Sequence, residues 1–268
     1  MRTVPDTGPA RVAEVAAARS GIVIRELHDG DDIAEVDRLF WDIWRPSPSN
    51  VPITNELMRV LAHSGNYVVG AFVGDRMVGA TVGFLAAPAG RTLHSHVTGV
   101  RSEMRGRSVG FALKLHQRAW ALDRGLDTIT WTFDPLVRRN AYFNLAKLAA
   151  TAVEYLPDFY GEMDDGINGV DASDRLLASW DLRSPEVVAA CAGKPAEPVT
   201  DGVPDATGSG ATGSGATVRV PADIESLRAG DPEQAARWRL RVREELGTRM
   251  DAGAKVLGFT RDGRYVVA

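Results

Sequence analysis

Leu93 to Gly110 reads LHSHVTGVRSEMRGRSVG. It begins as a strand, with Leu93, Ser95, Val97 and Gly99 on one face and His94, His96, Thr98 and Val100 on the other. Arg101 to Arg107 follows as a short loop with four charged residues and one glycine. From Ser108 the period changes. Val109, Ala112, Leu113, His116, Ala119 and Trp120 keep the i, i+3, i+4, i+7 spacing of an amphipathic helix. A strand that turns directly into a helix leaves the first helical amides unpaired and exposes the positive end of the helix dipole, which favours an anion. Arg101, Arg105 and Arg107 add positive charge, and Gly106 and Gly110 allow a ligand to approach the backbone. The stretch therefore predicts a phosphate cradle. It lacks the Gly-Lys-Ser/Thr ending of a P-loop and the Gly-x-Gly-x-x-Gly of a dinucleotide fold.

Working outward, the residues before the cradle predict strand, helix, helix, strand, strand. Gly21 to Leu27 is a strand, and Asp31 or Asp32 caps a helix with Ile33, Val36, Leu39, Phe40 and Ile43 on one face. Trp41 and Trp44 sit beside that face. Prolines end this helix, and a second covers Asn55 to His63 after Thr54. Tyr67 to Val73 and Arg76 to Ala86 are strands about a Gly74-Asp75 turn. After the cradle helix, Leu126 to Phe133 is a strand, Val137 to Ala150 a helix, and Thr151 to Tyr155 and Leu176 to Leu182 are strands. An acidic loop separates the last two, and a short helix covers Ser184 to Cys191.

The organisation read from composition is a loosely anchored tail over 1–20 with a short helix at Ala10 to Arg19, a main domain over 21–192, a linker over 193–216 and an extension over 217–268. The linker is rich in Gly, Ala, Ser, Thr and Pro, which cannot offset the backbone entropy of folding. The extension predicts a strand at Thr217 to Val220, a helix started by Asp231 and Pro232, and a hairpin about Asp262-Gly263. About 50 residues are marginal alone, so it is expected to pack on the main domain; mediation of a homodimer is a further reading. Arg237, Arg239, Arg241, Arg243 and Arg249, interleaved with Glu244 and Glu245, are expected to form a solvated helix face.

The net charge of −4 gives no reason to expect nucleic acid as a partner. No apolar run is long enough to span a membrane, and the first residues lack the apolar core of a secretion signal, so a cytoplasmic protein is expected. A single Cys191 excludes an internal disulfide and a Cys-based zinc site. No metal is expected: the acidic loop (Asp164, Asp165, Asn168) lacks the spacing of a calcium loop.

Arg105-Gly106-Arg107-Ser108-Val109-Gly110, preceded by Val100, resembles the acyl-CoA signature Arg/Gln-x-x-Gly-x-Gly/Ala of the GNAT acetyltransferase superfamily. Ser108 stands where glycine is usual; serine is a good helix N-cap, and its hydroxyl can bond a phosphate oxygen. The order of elements over 21–183 is similar to that fold. The resemblance implies an α/β (α+β) architecture: a mixed, mostly antiparallel sheet splayed between its fourth and fifth strands, with helices on both faces. The C-terminal extension is additional.

The resemblance also implies a reaction: acetyl transfer from acetyl-CoA to a primary amine of a small molecule or peptide. The alternative is a non-catalytic acyl-CoA-binding or regulatory module. Gly99, Val100, Arg101, Arg105, Gly106, Arg107, Ser108, Val109 and Gly110 would then hold the cosubstrate, with a bulge near Gly99 and Val100 freeing amides for the thioester oxygen. Where many members place a glutamate as general base, this chain has His96 and His94, and either can serve. The usual tyrosine acid position holds Leu145, with Tyr142 one turn earlier as either its substitute or a plain core residue. Asn140 and Asn144, four apart on that helix, would face the pantetheine arm. Trp41, Trp44, Trp131 and the loop around Tyr160, with Glu162, Asp164 and Asp165, are expected to wall the acceptor pocket.

Overall fold

In the computed structural model, residues 8–48, 50–161, 171–198, 200, 203, 205–206 and 215–268 are described. The chain gathers into two units, Met1–Ile129 and Thr130–Ala268. The class is mixed α/β, with mostly antiparallel strands and covering helices.

The first unit contains α1 (Pro9–Ser20), β1 (Val23–Glu26), α2 (Gly30–Trp44), α3 (Asn55–His63), β2 (Tyr67–Val73), β3 (Arg76–Ala86), β4 (Thr92–Val100) and α4 (Val109–Asp123). β1 to β4 pair in sequence order, each antiparallel to the next. Thr54 caps α3 as expected, its Oγ1 accepting from the Leu57 amide at 3.3 Å. Asp31 and Asp32 do not cap α2. The N-cap position is Asp29, and Asp32 takes a bidentate bond from Arg25 of β1 at 2.6 and 2.8 Å. Leu27, Ile33, Val36, Leu39, Phe40, Met58, Val68, Phe72, Met77 and Val82 close one core under α2 and α3. Full burial of such a side chain contributes about 1.5–3 kcal/mol.

The expected N-terminal tail is corrected over its described part. α1 packs on α4 and buries Ala13 and Ser20. Gly21 adopts the left-handed conformation, and the Gly21 and Ile22 amides close the helix on Ala18 and Ala17.

The alternation expected of β4 is broken. Val97 pairs with Val82, but Ser95 pairs with the next residue, Gly83, so His96 is the extra residue of a bulge. The faces exchange there. Ser95 is on the α4 side, where it bonds Lys114, whereas Val97 packs in the α2–α3 core. A Cβ on Gly99 would come 2.8 Å from both Ile43 and Trp44, which keeps that position glycine.

The second unit contains most of β5 (Thr128–Phe133), then α5 (Arg138–Ala141), which widens into a π-helical segment (Tyr142–Lys147), β6 (Thr151–Leu156), β7 (Arg175–Asp181) and α6 (Pro185–Cys191). β7 lies between β5 and β6. β8 (Ala216–Arg219), α7 (Ile224–Gly230), α8 (Pro232–Val242), a second π segment (Arg243–Gly247), α9 (Thr248–Asp251), β9 (Val256–Phe259) and β10 (Arg264–Val267) follow. β10 is the middle strand of a small antiparallel sheet with β8 and β9. Asp231 caps α8 through the Gln234 amide at 2.9 Å with Pro232 behind it, as its sequence requires. α7 had no place in the sequence reading; Asp223 caps it through Ser226.

The arginine-rich face of α8 is not simply solvated. Arg239 is 2% exposed and forks onto both oxygens of Asp134, each at 2.9 Å, and onto Asp171 at 2.8 Å. Arg228 of α7 reaches the same two carboxylates, and Arg243 bonds Asp174. The Tyr265 hydroxyl donates to the Pro135 carbonyl at 2.8 Å. Residues 216–268 are thereby bound through buried ion pairs to the loops that follow β5 and precede β7. Among the described residues, no helix is long and apolar enough to cross a membrane.

Candidate functional site

The cradle takes its shape from two consecutive departures from ordinary backbone. After β4 a short 3-10 turn (Ser102–Met104) leads to Gly106 at φ +81° and Ser108 at φ +60°. Left-handed backbone costs a non-glycine residue about 1–2 kcal/mol, which gives a physical reason for glycine at the place Ser108 occupies. Ser108 does not act as a side-chain cap, contrary to expectation. The first bond of α4 runs from Ala112 N to Ser108 O, so Val109, Gly110 and Phe111 turn their amides out at the helix start. Among the described residues, a Cβ at Gly106 or Gly110 would meet nothing within 4 Å, and none of their side chains fills the space over Gly110. Arg105 and Arg107 are exposed and enter no ion pair among the described residues. Arg101 is different. Its guanidinium donates to Met77 O at 3.1 Å and pairs with Asp42 of α2 at 2.7 Å. Its side chain is committed away from the cradle, and its assignment to a phosphate is corrected.

β4 carries the two histidines on the face away from α4. The rings of His94 and His96 lie 6.5 Å apart, with Phe84 of β3 against both. His96 Nε2 is 2.9 Å from the Pro52 carbonyl. A carbonyl only accepts, so Nε2 carries the proton and Nδ1 presents a lone pair. Burial, with smaller contributions from His96 and Lys114, holds His94 down to about 4. His94 is therefore a poor proton acceptor at neutral pH, and of the two histidines the geometry favours His96. Gly99 and Val100 stand in regular register with Ala80 and Gly79. The bulge falls at His96 instead, which moves the candidate oxyanion donors to the backbone around His96 and Val97.

Residues 10–142 match the family model described as an acetyltransferase (GNAT) domain. The chain belongs to the GNAT family. Among solved structures, Mycobacterium smegmatis RimJ in complex with CoA-disulfide is similar at a TM-score of 0.50 and 18% identity, covering 66% of this chain and 92% of that one. Ard1 from Thermoplasma volcanium gives 0.48 at 17% identity, covering 61% and 99%. The ribosomal-protein-S18-alanine N-acetyltransferase from Escherichia coli gives 0.48 at 10% identity, covering 61% and 95%. No curated protein sequence matches the chain.

Other residues assigned to GNAT roles are placed differently. The Tyr142 hydroxyl donates to Glu197 at 2.6 Å and accepts from Arg261 at 3.1 Å. Its proton is held by a carboxylate, so Tyr142 is not poised as an acid. Asn140 is exposed and Asn144 is buried, so they do not share one face; the π segment begins between them. Arg138 donates to Arg261 O at 2.6 Å, and Arg139 pairs with Glu225. Trp131 is not an open pocket wall: it is buried edge-on against Trp180. Trp41 is exposed beside a cleft of about 310 Å³ with Glu35, Arg38, Asp42 and Arg101, and Trp44 packs on Phe40. Tyr160 bonds Thr132 at 2.9 Å. Glu162, Asp164, Asp165 and Asn168 lie outside the described residues. Among the described residues, no group of three metal-ligating side chains comes together.

The polar residues beneath the helix are a feature that the amphipathic pattern of α4 does not predict. α4 is buried nearly all round, and Lys114, Gln117 and Arg118 are among its buried positions. Burial draws the Lys114 ammonium down to about 7. Polar residues at positions 114, 117 and 118 are the signal that could have marked a second packed face.

Proposed function

We propose that this GNAT protein transfers an acetyl group from acetyl-CoA to a primary amine. The observation that carries the reading is the open, positively charged turn at Gly106 to Gly110, where left-handed backbone and a bare helix start coincide. The residues present fit a diphosphate. The Val109 and Gly110 amides face it at the positive end of the helix dipole, and Arg105 and Arg107 supply mobile charge. An amine of lysine type has a pKa near 10.4 and must lose a proton to attack. His96 Nδ1 is the acceptor for that proton, directly or through one water. The amine nitrogen then bonds the thioester carbonyl carbon, the carbon–sulfur bond breaks, and the second nitrogen proton passes to the departing sulfur, which leaves as the thiol. Backbone amides at the bulge stabilise the developing oxyanion. No tyrosine acid is invoked.

The test is thiol release from acetyl-CoA with a panel of small-molecule and peptide amines. The reading expects turnover that His96→Ala lowers by about a hundredfold and that His94→Ala lowers less. Acetyl-CoA binding without turnover on any amine would replace it with the non-catalytic module.

A further inference from the structure

Behind the bulge, on the α4 side of β4, lies a polar cluster that the proposed reaction does not use. Lys114 Nζ donates to Ser95 Oγ at 3.0 Å and to Gln117 Oε1 at 3.2 Å. Ser95, Lys114 and Gln117 are 3%, 6% and 0% exposed. The neighbouring strand seals the cluster: a Cβ on Gly83 would come 2.9 Å from the His94 carbonyl and 3.4 Å from Gln117 Nε2. That same Nε2 is buried without a hydrogen-bond partner among the described residues. Removing an ammonium and an amide from water is costly, and apolar side chains of similar volume would pack here without that cost. Departures of this kind concentrate at working sites.

We propose that Lys114 is a positioning residue, holding Ser95 from the α4 side so that His96, and neither of its neighbours, is the extra residue of the bulge. The inference rests on His96 being the proton acceptor proposed above. Its physical content is register. A strand has a side-chain period of two, so moving the bulge by one position turns a side chain to the opposite face. With Ser95 anchored to Lys114, His96 stays on the α2–α3 side against the Pro52 carbonyl. Lys114 and Gly110 are four residues apart on α4, so one helix carries both the cradle and the anchor of the bulge.

Lys114→Met keeps length and volume and removes the donors. The protein should remain folded, with a thermal midpoint equal to or above the parent's and an acetyl-CoA Kd within about twofold. Its kcat should fall about ten- to a hundredfold, as a misplacement of the base requires, with KM for acetyl-CoA unchanged. The ¹⁵N spectrum of the His96 ring should change from the Nε2–H tautomer to a mixture. Ser95→Ala should do the same, and it serves as the test if Lys114→Met fails to fold. A folded variant with parental kcat and an unaltered His96 spectrum would overturn the proposal. Wild-type protein inactive on every amine would remove the acyltransfer reading, while a His96 tautomer still altered by Lys114→Met would leave the positioning role standing.

Discussion

Arg239→Met is the most severe single change the structure predicts outside the cradle. Arg239 bonds Asp134 twice at 2.9 Å and Asp171 at 2.8 and 3.3 Å, and all three side chains are more than nine-tenths buried. Methionine fills the volume but leaves two buried carboxylates to share Arg228. Breaking a buried pair by removing one partner costs about 3–5 kcal/mol. At about 2–4 °C per kcal/mol for a chain of this size, the midpoint should fall by about 6–20 °C. The assay is urea unfolding at pH 7, followed by the fluorescence of the buried Trp131–Trp180 pair in the same unit. Arg237→Met is the control: Arg237 is exposed and 3.7 Å from Glu233, so its loss should stay within about 0.5 kcal/mol. The pH dependence has a definite sign. Burial alone would raise the Asp134 pKa, but Arg239, then Arg228 and Arg175, outweigh it and hold the carboxyl well below the usual range. A depressed carboxyl stabilises the fold above its unfolded pKa of about 3.9 and loses that contribution as pH falls further. The gap between parent and variant should therefore narrow below about pH 4. A loss under about 1 kcal/mol at pH 7, or one no larger than the control's, would refute the view that this pair holds residues 216–268 in place.

Two smaller predictions follow from strain and burial. Ser108→Gly relieves a left-handed serine and should raise stability by about 0.5–1 kcal/mol, the relief of about 1–2 being partly offset by glycine's chain entropy; it should leave acetyl-CoA affinity intact, and a destabilised variant in urea titration would contradict that geometry. Lys114, held down to about 7 against an ordinary 10.5, binds its proton more readily unfolded, so its contribution to stability rises with pH between those values. The stability advantage of Lys114→Met should accordingly be largest at pH 7 and shrink toward pH 10, and an advantage that grows with pH would count against a buried lysine.

Legibility in the sequence followed how local each determinant was. The bounds of β2 and β3, the Thr54 cap and the Asp231–Pro232 helix start matched because each depends on residues two to four apart. The anion turn was readable for the same reason: strand period, glycine and helix period meet within a few residues. The β4 bulge was not readable. Alternation in HSHVTG suits several registers, and only the pairing with Val82 and Gly83 makes His96 the extra residue. Arg239 looked like one of a series of solvated arginines because the Asp134 that buries it lies 105 residues earlier. Ser108 looked like an N-cap by residue type, and the backbone took the left-handed path that the family's usual glycine would take without strain. Lys114 was hidden because an amphipathic reading assigns charge to the solvent side.

Acetyl transfer by this protein requires an anion held at the start of α4. Calorimetric titration of acetyl-CoA into the parent, Arg105→Ala and Gly110→Trp proteins tests it most directly. The parent should bind, with an affinity that weakens as salt is raised. Arg105→Ala should bind about tenfold more weakly, and Gly110→Trp, whose ring would fill the open space over the helix start, should show no binding heat while remaining folded. Parental affinity in the folded Gly110→Trp protein would contradict the account.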